Sequence, residues 1–216
     1  MTCFRKKEIN IKRDKLILSS VAIFLSIYFA FSCTYFACAS QSVREDVVRL
    51  HILANSNSSF DQEIKLKVRD ALLQEDFCFF GEVLTVENAE ECFEQSKGKV
   101  IKVCEKVLEE NGIKYNAAIF LEKEYYETRC YGSLTFPAGE YLSLKIILGE
   151  GKGENWWCVM FPPLCVPAAA DVASDKETAS QYLSEGGETV VNGDGKYTVK
   201  FKIVEIFEEL KYKLGF

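Results

Sequence analysis

The longest hydrophobic pattern in the chain is an unbroken apolar run near its start. No charged residue occurs from position 16 to position 43, and the apolar residues concentrate between positions 16 and 39. A helix needs about 20 apolar residues to cross a bilayer. The pattern therefore predicts one membrane-spanning or signal helix, followed by a chain with ordinary globular patterning.

The first element predicted after this run is a β-strand over residues 47–54. Every second residue from Val48 to Ala54 is apolar, so these residues share one face of the strand. Arg49 and His51 then point to the opposite face. This alternation is typical of a strand with one face against a core and the other outside it.

Helical spacing predicts three helices in the rest of the chain. Residues 60–74 follow a Ser- and Asn-rich turn, with Ser59 as N-cap and Gln62 completing a capping box. A longer helix is predicted over residues 86–110, because an apolar stripe ends there at Asn-Gly. A terminal helix is predicted from residue 199 to residue 214.

Three strand-like segments lie between these helices, over residues 115–123, 128–136 and 141–148. Pro-Ala-Gly at 137–139 separates the last two as a hairpin turn would. The fold class predicted is α+β: a small mixed sheet of about four strands with helices packed on it, preceded by one N-terminal transmembrane or signal helix.

The residues around the apolar run predict its orientation. The segment before it carries six basic and two acidic residues, and positive flanks stay in the cytoplasm, so we expect residue 40 onward to lie outside it. Residues 37–39 fit a small-x-small cleavage site, but the run exceeds the ~7–15 residues of an ordinary signal core. A cleaved signal peptide and a retained membrane anchor both remain open. We divide the chain into a leader, residues 1–39, and one exported domain, residues 40–216.

Charge narrows the range of partners. The leader holds six of the 26 basic residues and two of the 32 acidic ones, so the exported domain carries a net charge of about −10. Such a domain is unsuited to binding nucleic acid through phosphate contacts. It is also a poor binder of anionic lipid headgroups. Contact with a membrane is therefore expected through the N-terminal helix if that helix is not cleaved.

Six of the nine cysteines lie after the leader, and export permits disulfides. Cys92 and Cys104 fall in one predicted helix, about 18 Å apart along its axis, which is beyond disulfide reach. We interpret both as buried apolar residues. Cys158 and Cys165 are separated by six residues that include a Pro-Pro pair. Because these prolines fold the chain, we predict that the two cysteines lie close enough to bond.

Few residues offer catalytic or ligand chemistry. His51 is the only histidine, whereas hydrolase triads and zinc sites need further partners. Segment 149–153 is glycine-rich but lacks the spacing of a phosphate loop. We assign no catalytic, cofactor or metal residue. An exported cell-wall hydrolase or wall-binding enzyme is the competing class, and it would need a nucleophile–base pair or two carboxylates in a cleft.

Both tryptophans stand together in segment 149–165, next to two prolines and two cysteines. This composition predicts a stiff aromatic knot. Adjacent residues of an extended segment point to opposite faces. If the segment is extended, we expect one of Trp156 and Trp157 to be buried and the other partly exposed. A helical start would remove this alternation. The alternative interpretation is that both rings are buried in the core.

Three long patterns resemble the stage II sporulation protein R family of endospore-forming bacteria. They are RLHILANSNSSFDQEIKLKVRDA from Arg49, YGSLTFPAGEYLSLKIILGEG from Tyr131 and WWCVMFPPLC from Trp156. The similarity runs over residues 43–165 and returns weakly in the C-terminal VKFKIVEIF. It covers most of the predicted exported domain.

This resemblance implies a signalling function rather than catalysis. Members of the family are made in the forespore, cross its membrane and act between the two sporulation membranes. There they trigger a membrane-embedded aspartic protease of the mother cell, which processes a mother-cell sigma-factor precursor. For this chain the resemblance implies an exported, non-enzymatic protease activator without a cofactor, with that protease as its partner.

A protein ligand concentrates its binding energy in a few anchors, among which Trp and Arg are favoured. We expect the anchors at the Trp segment, at the loop over residues 149–155 and at the polar end of the first strand. The candidate partner-binding residues are Arg49, His51, Asn55, Asn57, Trp156 and Trp157.

Overall fold

The structure is a computed structural model that describes residues 2–75, 85–131, 134–162, 164, 183–191 and 199–214. The chain forms two compact units, Met1–Cys38 and Ala39–Phe216. The first consists of helix and the second contains the sheet with its helices.

Five helices and six strands occur in the ranges just given. The helices are α1 (Thr2–Glu45), α2 (Ser59–Leu73), α3 (Ala89–Glu110), α4 (Glu185–Val191) and α5 (Val199–Leu214). The strands are β1 (Val48–Leu53), β2 (Ala117–Tyr126), β3 (Arg129–Tyr131), β4 (Leu134–Phe136), β5 (Gly139–Leu148) and β6 (Asn155–Phe161).

Four of the strands form a mixed sheet with the order β2-β5-β1-β6. Strand β1 is central: it runs parallel to β5 and antiparallel to β6, while β2 pairs antiparallel with β5. The predicted α+β class with a four-stranded mixed sheet is confirmed. Because β1 is paired on both sides, its side chains sit in the middle of both sheet faces.

Helices α2 and α3 contribute to an apolar core on one face of the sheet. Ile64, Val68 and Leu72 recur at four-residue spacing along α2 and are fully buried. They join Leu50 of β1 and Leu144 of β5 in one core. Burying a side chain of this size contributes about 1.5–3 kcal/mol, so this layer is a major source of stability. The predicted orientation of β1 is confirmed, since its apolar residues belong to this core.

The first turn of α2 begins one residue earlier than predicted. Ser58, not Ser59, is the N-cap, and its side-chain oxygen accepts a hydrogen bond from the backbone N–H of Asp61 at 3.1 Å. The predicted capping box through Gln62 is therefore wrong. The side chain of Gln62 instead donates to the backbone carbonyl of Ser56 at 2.9 Å, which holds the preceding turn.

Residues 128–136 do not form the single strand that was predicted to pair with the next one. They contain β3 and β4, which pair antiparallel with each other as a separate two-stranded sheet. The turn at residues 137–139 therefore leads from one sheet into another, and the predicted hairpin is wrong. Gly139 has a φ of 140°, and a Cβ there would collide with the side chain of Arg44.

The Trp-rich segment forms an edge strand, with a register shift opposite Val48 and Arg49, rather than the predicted knot. Strand β6 pairs with β1 along its length, and the peptide bond between Phe161 and Pro162 is cis. The extended backbone satisfies the condition under which the two tryptophans were expected to separate.

The N-terminal helix has the length and composition expected of it. Its stretch Arg13–Glu45 contains 33 residues and is apolar enough to cross a membrane or to act as a signal sequence. Its large apolar side chains, such as Phe24 and Phe31, are exposed. The predicted N-terminal transmembrane or signal helix is confirmed as an element.

Candidate partner-binding site

The sheet face opposite α2 and α3 carries polar and aromatic side chains, and we call it the polar face. Side chains alternate along a strand, so residues paired in register point to the same face. The register places His51 between Lys145 of β5 and Trp157 of β6. The polar face comprises Arg49 and His51 of β1, Phe120, Glu122, Glu124 and Tyr126 of β2, Tyr141, Ser143 and Lys145 of β5, and Asn155 and Trp157 of β6.

His51 is held from three sides at the centre of this face. Its Nδ1–H donates to Oε2 of Glu124 at 2.9 Å, and its Nε2 lies 2.9 Å from Oδ1 of Asn155. Its ring stacks on Trp157, with the ring centroids 3.5 Å apart and 25° between the planes. With only 4% of the residue exposed, His51 is a fixed support for the neighbouring tryptophan.

A network of ion pairs continues from Glu124 towards solvent. The Nζ of Lys145 lies 2.7 Å from Glu124 and 2.8 Å from Glu122. Burial raises the pKa of Glu124, but the hydrogen bonds and charges of His51 and Lys145 outweigh it and lower that pKa to about 2. Burial lowers the pKa of Lys145, and its two glutamate partners outweigh that effect, so the net shift is upward. Both groups are therefore charged at neutral pH.

Arg49 lies in a cage of aromatic rings. Its guanidinium carbon is 4.2 Å from the ring centroid of Tyr141, 4.4 Å from that of Tyr126 and 5.5 Å from that of Phe136. The side chain is fully buried, and its three nitrogens have no hydrogen-bond partner within the part of the chain that the structure describes. Cation–π attraction of up to about 2 kcal/mol per desolvated ring takes the place of a carboxylate here.

Asn55 and Asn57 fix the glycine-rich loop between β5 and β6. The Oδ1 of Asn55 accepts from the backbone N–H of Glu150 at 2.9 Å, and the Oδ1 of Asn57 accepts from that of Glu154 at 2.7 Å. The backbone carbonyl of Asn55 also accepts from the N–H of Lys152 at 3.1 Å. These two side chains therefore act on the loop over residues 149–155, which precedes β6.

Asp61 holds the turn that carries these asparagines. Its carboxylate accepts from Ser56 at 2.5 Å, from Tyr115 at 2.8 Å and from Asn55 at 3.0 Å. Burial raises the pKa of Asp61, but these hydrogen bonds outweigh it, and the pKa is lower than usual. Gly149 packs so closely against Asn55 that a Cβ would overlap its side-chain oxygen, and its φ of 59° also favours glycine.

The two tryptophans lie on opposite faces of β6, and both are half-buried. Trp156 packs against the apolar core, with the guanidinium carbon of Arg69 4.2 Å from its ring centroid. Trp157 lies on the polar face, where it stacks on His51 and meets Tyr126 edge-on at 4.8 Å. The alternation expected of an extended segment is present, but the expectation that one ring would be buried and the other partly exposed is wrong, because both have intermediate exposure.

The cysteine predictions have mixed outcomes. Cys104 is buried and free, as expected. Cys92 is also buried, but it is disulfide-bonded, so its interpretation as only a buried apolar residue is wrong. Cys158 is disulfide-bonded as well. Because Cys165 lies outside the described residues, the pairing of Cys158 with Cys165 stays a prediction.

The geometry around His51 favours positioning over proton transfer. A general base needs a ring nitrogen within reach of a reacting group. Nδ1 of His51 is instead occupied by Glu124, Nε2 by Asn155, and one ring face by Trp157. Among the described residues, no group of three or more His, Cys, Asp or Glu is arranged to hold a metal ion.

Sequence reasoning missed two residues that complete this face, Glu124 and Lys145, whereas Asn155 lies in the loop over residues 149–155 that it did predict. One available signal was the alternation of Glu122, Glu124 and Tyr126, which marks a polar face of β2 in the same way that apolar alternation marks a core face. The pairing of these residues with His51 required the strand order.

Comparison with known proteins covers this same part of the chain. A family model described as Stage II sporulation protein R matches residues 44–171. The Stage II sporulation protein R of Bacillus subtilis (strain 168) is 35% identical over 143 residues, which cover 66% of this chain and 64% of that protein. The match thus spans less than two thirds of the relative's length, and no solved structure matches the chain. Every residue of the polar face falls within the segment matched by the family model, which covers more than half of the chain, and the chain belongs to the stage II sporulation protein R family.

Proposed function

We propose that this chain is an exported sporulation signal that activates a membrane-embedded aspartic protease in the opposite membrane. The protease then processes a mother-cell sigma-factor precursor. The chain acts as a ligand rather than as a catalyst and works between the forespore and mother-cell membranes. Membership of the family supports a sporulation role, and the long apolar helix supports export or anchoring.

The polar face is the observation that carries this proposal, because it offers ordered side chains to solvent. Phe120 is 45% exposed, and the side chain of Glu122 is 44% exposed. Asn155 is exposed at the start of β6, and Trp157 beside it is half-buried. An exposed Phe120 and a half-buried Trp157, both surrounded by charged groups, have the composition typical of a binding hot spot.

The residues predicted from sequence have different roles within this surface. Trp157 is proposed as the direct anchor. His51 and Arg49 support it, because both are almost completely removed from solvent. Asn55 and Asn57 act through the loop that leads into β6. Rigid support lowers the entropy that a binding residue loses when it meets its partner.

Trp156 belongs to the other side of the sheet and serves as a matched comparison. It packs on the core and under Arg69. A partner that docks on the polar face would contact Trp157 and leave Trp156 within the domain.

Site-specific photocrosslinking in sporulating cells tests the proposed surface. A photoreactive amino acid replaces Phe120 on the polar face in one strain and Phe60 in another. Phe60 is a suitable control because it is 51% exposed on α2, on the far side of the sheet. We expect position 120 to capture a membrane-embedded aspartic protease and position 60 to leave it uncaptured. Capture of that protease from neither position, or from both equally, would contradict the assignment of the polar face.

A further inference from the structure

Helix α5 has an apolar stripe that the rest of the domain does not cover. Its members recur at helical spacing, and four of them are at least 48% exposed. The stripe is formed by Ile203 (37% exposed), Ile206 (48%), Phe207 (63%), Leu210 (54%) and Leu214 (67%). At 3.6 residues per turn these positions span about 100° of the helix surface.

A different side of α5 holds the helix to the domain. Phe201 and Val204 are 2% and 5% exposed, and Tyr212 stacks on Tyr125 of β2 with the ring centroids 5.1 Å apart. The stripe is therefore additional to the contact face, since the helix has already buried one apolar side.

Charged side chains border the apolar stripe of α5. Lys202 and Lys213 flank it on one side, where they pair with Glu205 and Glu209 at 2.6 Å, and Lys211 flanks it on the other side. The two glutamates lie roughly 160° from Phe207 around the helix. Exposed lysines bordering an apolar stripe are characteristic of helices that lie in a membrane interface, where the lysine stems cover apolar surface and the ammonium groups reach the headgroups.

A buried ion pair fixes α5 close to the place where the chain leaves its apolar run. The Nη2 of Arg44 lies 2.9 Å from Oε1 of Glu208, and only 9% and 12% of the two side chains are exposed. The Nη1 of Arg44 also donates to the carbonyl of Ala138 at 3.2 Å. Arg44 is the first charged residue after the uncharged run and follows Ala39 by five residues. Five helical residues span about 7.5 Å, which is within the depth of a membrane interface.

We propose that the apolar stripe of α5 lies on the lipid bilayer from which α1 emerges, as an interfacial helix that keeps the exported domain at the membrane surface. The tether through Arg44 supplies the proximity, and the stripe supplies the apolar contact. Neither the family match, which ends at residue 171, nor the proposed protease activation assigns this role.

Depth-dependent fluorescence quenching tests the proposal on the full chain in vesicles. Phe207→Trp places a reporter in the stripe, and Glu209→Trp places one on the opposite side of the same helix. Both are compared with the parent chain, whose two tryptophans provide a common background. The vesicles contain phosphatidylcholine, with or without phosphatidylglycerol, and a fraction of the lipids is brominated on the acyl chains.

We expect the added emission of Phe207→Trp to be blue-shifted and quenched by the brominated lipids, and that of Glu209→Trp to be quenched by aqueous acrylamide instead. Equal acrylamide quenching of both reporters would overturn the proposal. A Phe207→Trp reporter shielded from acrylamide but insensitive to bromine would also overturn it, in favour of a second protein copy on the stripe. Leu210→Trp is the replacement reporter if Phe207→Trp lacks the parent's circular dichroism spectrum.

Discussion

Trp157 and His51 form a stacked pair in the middle of the polar face, with ring centroids 3.5 Å apart and 25° between the planes. The pair joins two strands, because Trp157 lies on the edge strand β6 and His51 on the central strand β1. The hydrogen bonds of His51 to Glu124 and Asn155 fix the imidazole on which the indole rests. The exposed edge of Trp157 is thereby held in a defined position.

Loss of the indole should destabilise the domain without unfolding it. We expect Trp157→Ala to lower the free energy of unfolding by about 2–4 kcal/mol, because stacking contributes ~0.5–1.5 kcal/mol beyond buried area and the half-buried ring adds its burial. Trp157→Phe should recover more than half of this loss. Denaturant unfolding of the purified chain in detergent, followed by near-ultraviolet circular dichroism, measures both. An unchanged free energy for Trp157→Ala would show that the stack is not stabilising.

The low pKa of Glu124 predicts a specific pH dependence. Its pKa is about 2 in the folded chain against an ordinary 4.5, so its contribution to stability is complete above pH 4.5 and is lost as the pH falls towards 2. We expect the stability difference between the parent chain and Glu124→Gln to shrink across this window. Glu63→Gln, which removes an exposed pair with Lys67, should show little pH-dependent difference. A constant difference for Glu124→Gln from pH 5 to pH 2.5 would refute the charge network.

Arg49 should tolerate an apolar replacement better than truncation. We expect Arg49→Met to cost less than about 2 kcal/mol, because it fills the aromatic cage and removes a buried charge. Arg49→Ala should cost about 3–5 kcal/mol, because it leaves a cavity in a fully buried site. The same unfolding measurement ranks the two variants. Equal losses would mean that the charge itself, rather than the volume, holds the cage together.

The asparagine contacts predict local rather than global loosening. Asn55→Ala removes the acceptor of the Glu150 amide and one donor to Asp61, with an expected cost of about 1–3 kcal/mol. Hydrogen exchange should accelerate at residues 149–155 and stay slow in α3. Lys152→Ala, which removes only an exposed ion pair with Glu150, is the control. Faster exchange throughout the sheet, or no change in the loop, would contradict a loop-anchoring role.

The fold class follows from local patterns in the sequence. The alternation from Leu142 to Leu148 identifies β5, and the apolar stripe of α3 ends at Asn111-Gly112 as predicted. Such patterns are local because neighbouring residues of one strand or helix determine which face is buried. They also placed His51 correctly on the face of β1 away from the core.

The composition of the polar face depends on strand pairing, which local patterns do not contain. Glu124 and His51 are 73 residues apart and meet across β5. The parallel pairing of β1 with β5 joins strands that are far apart in sequence, and it depends on how the two strands pack in the common core. The same limit explains the error at residues 128–136. Alternation indicated one strand there but could not show that the segment forms two strands, β3 and β4, that pair with each other.

The measurement that tests the proposed activating surface most directly is sigma-factor precursor processing. The chain, the membrane-embedded protease and the precursor are produced together in cells, and the cleaved fraction is determined by immunoblot. We expect Phe120→Asp to reduce processing by at least ~30-fold, the equivalent of a ~2 kcal/mol hot spot. Phe60→Asp, an equally polar change at an exposed phenylalanine on the opposite side of the sheet, should leave processing intact. Normal processing with a stably folded Phe120→Asp chain, or equal losses in both variants, would contradict the polar face as the activating surface.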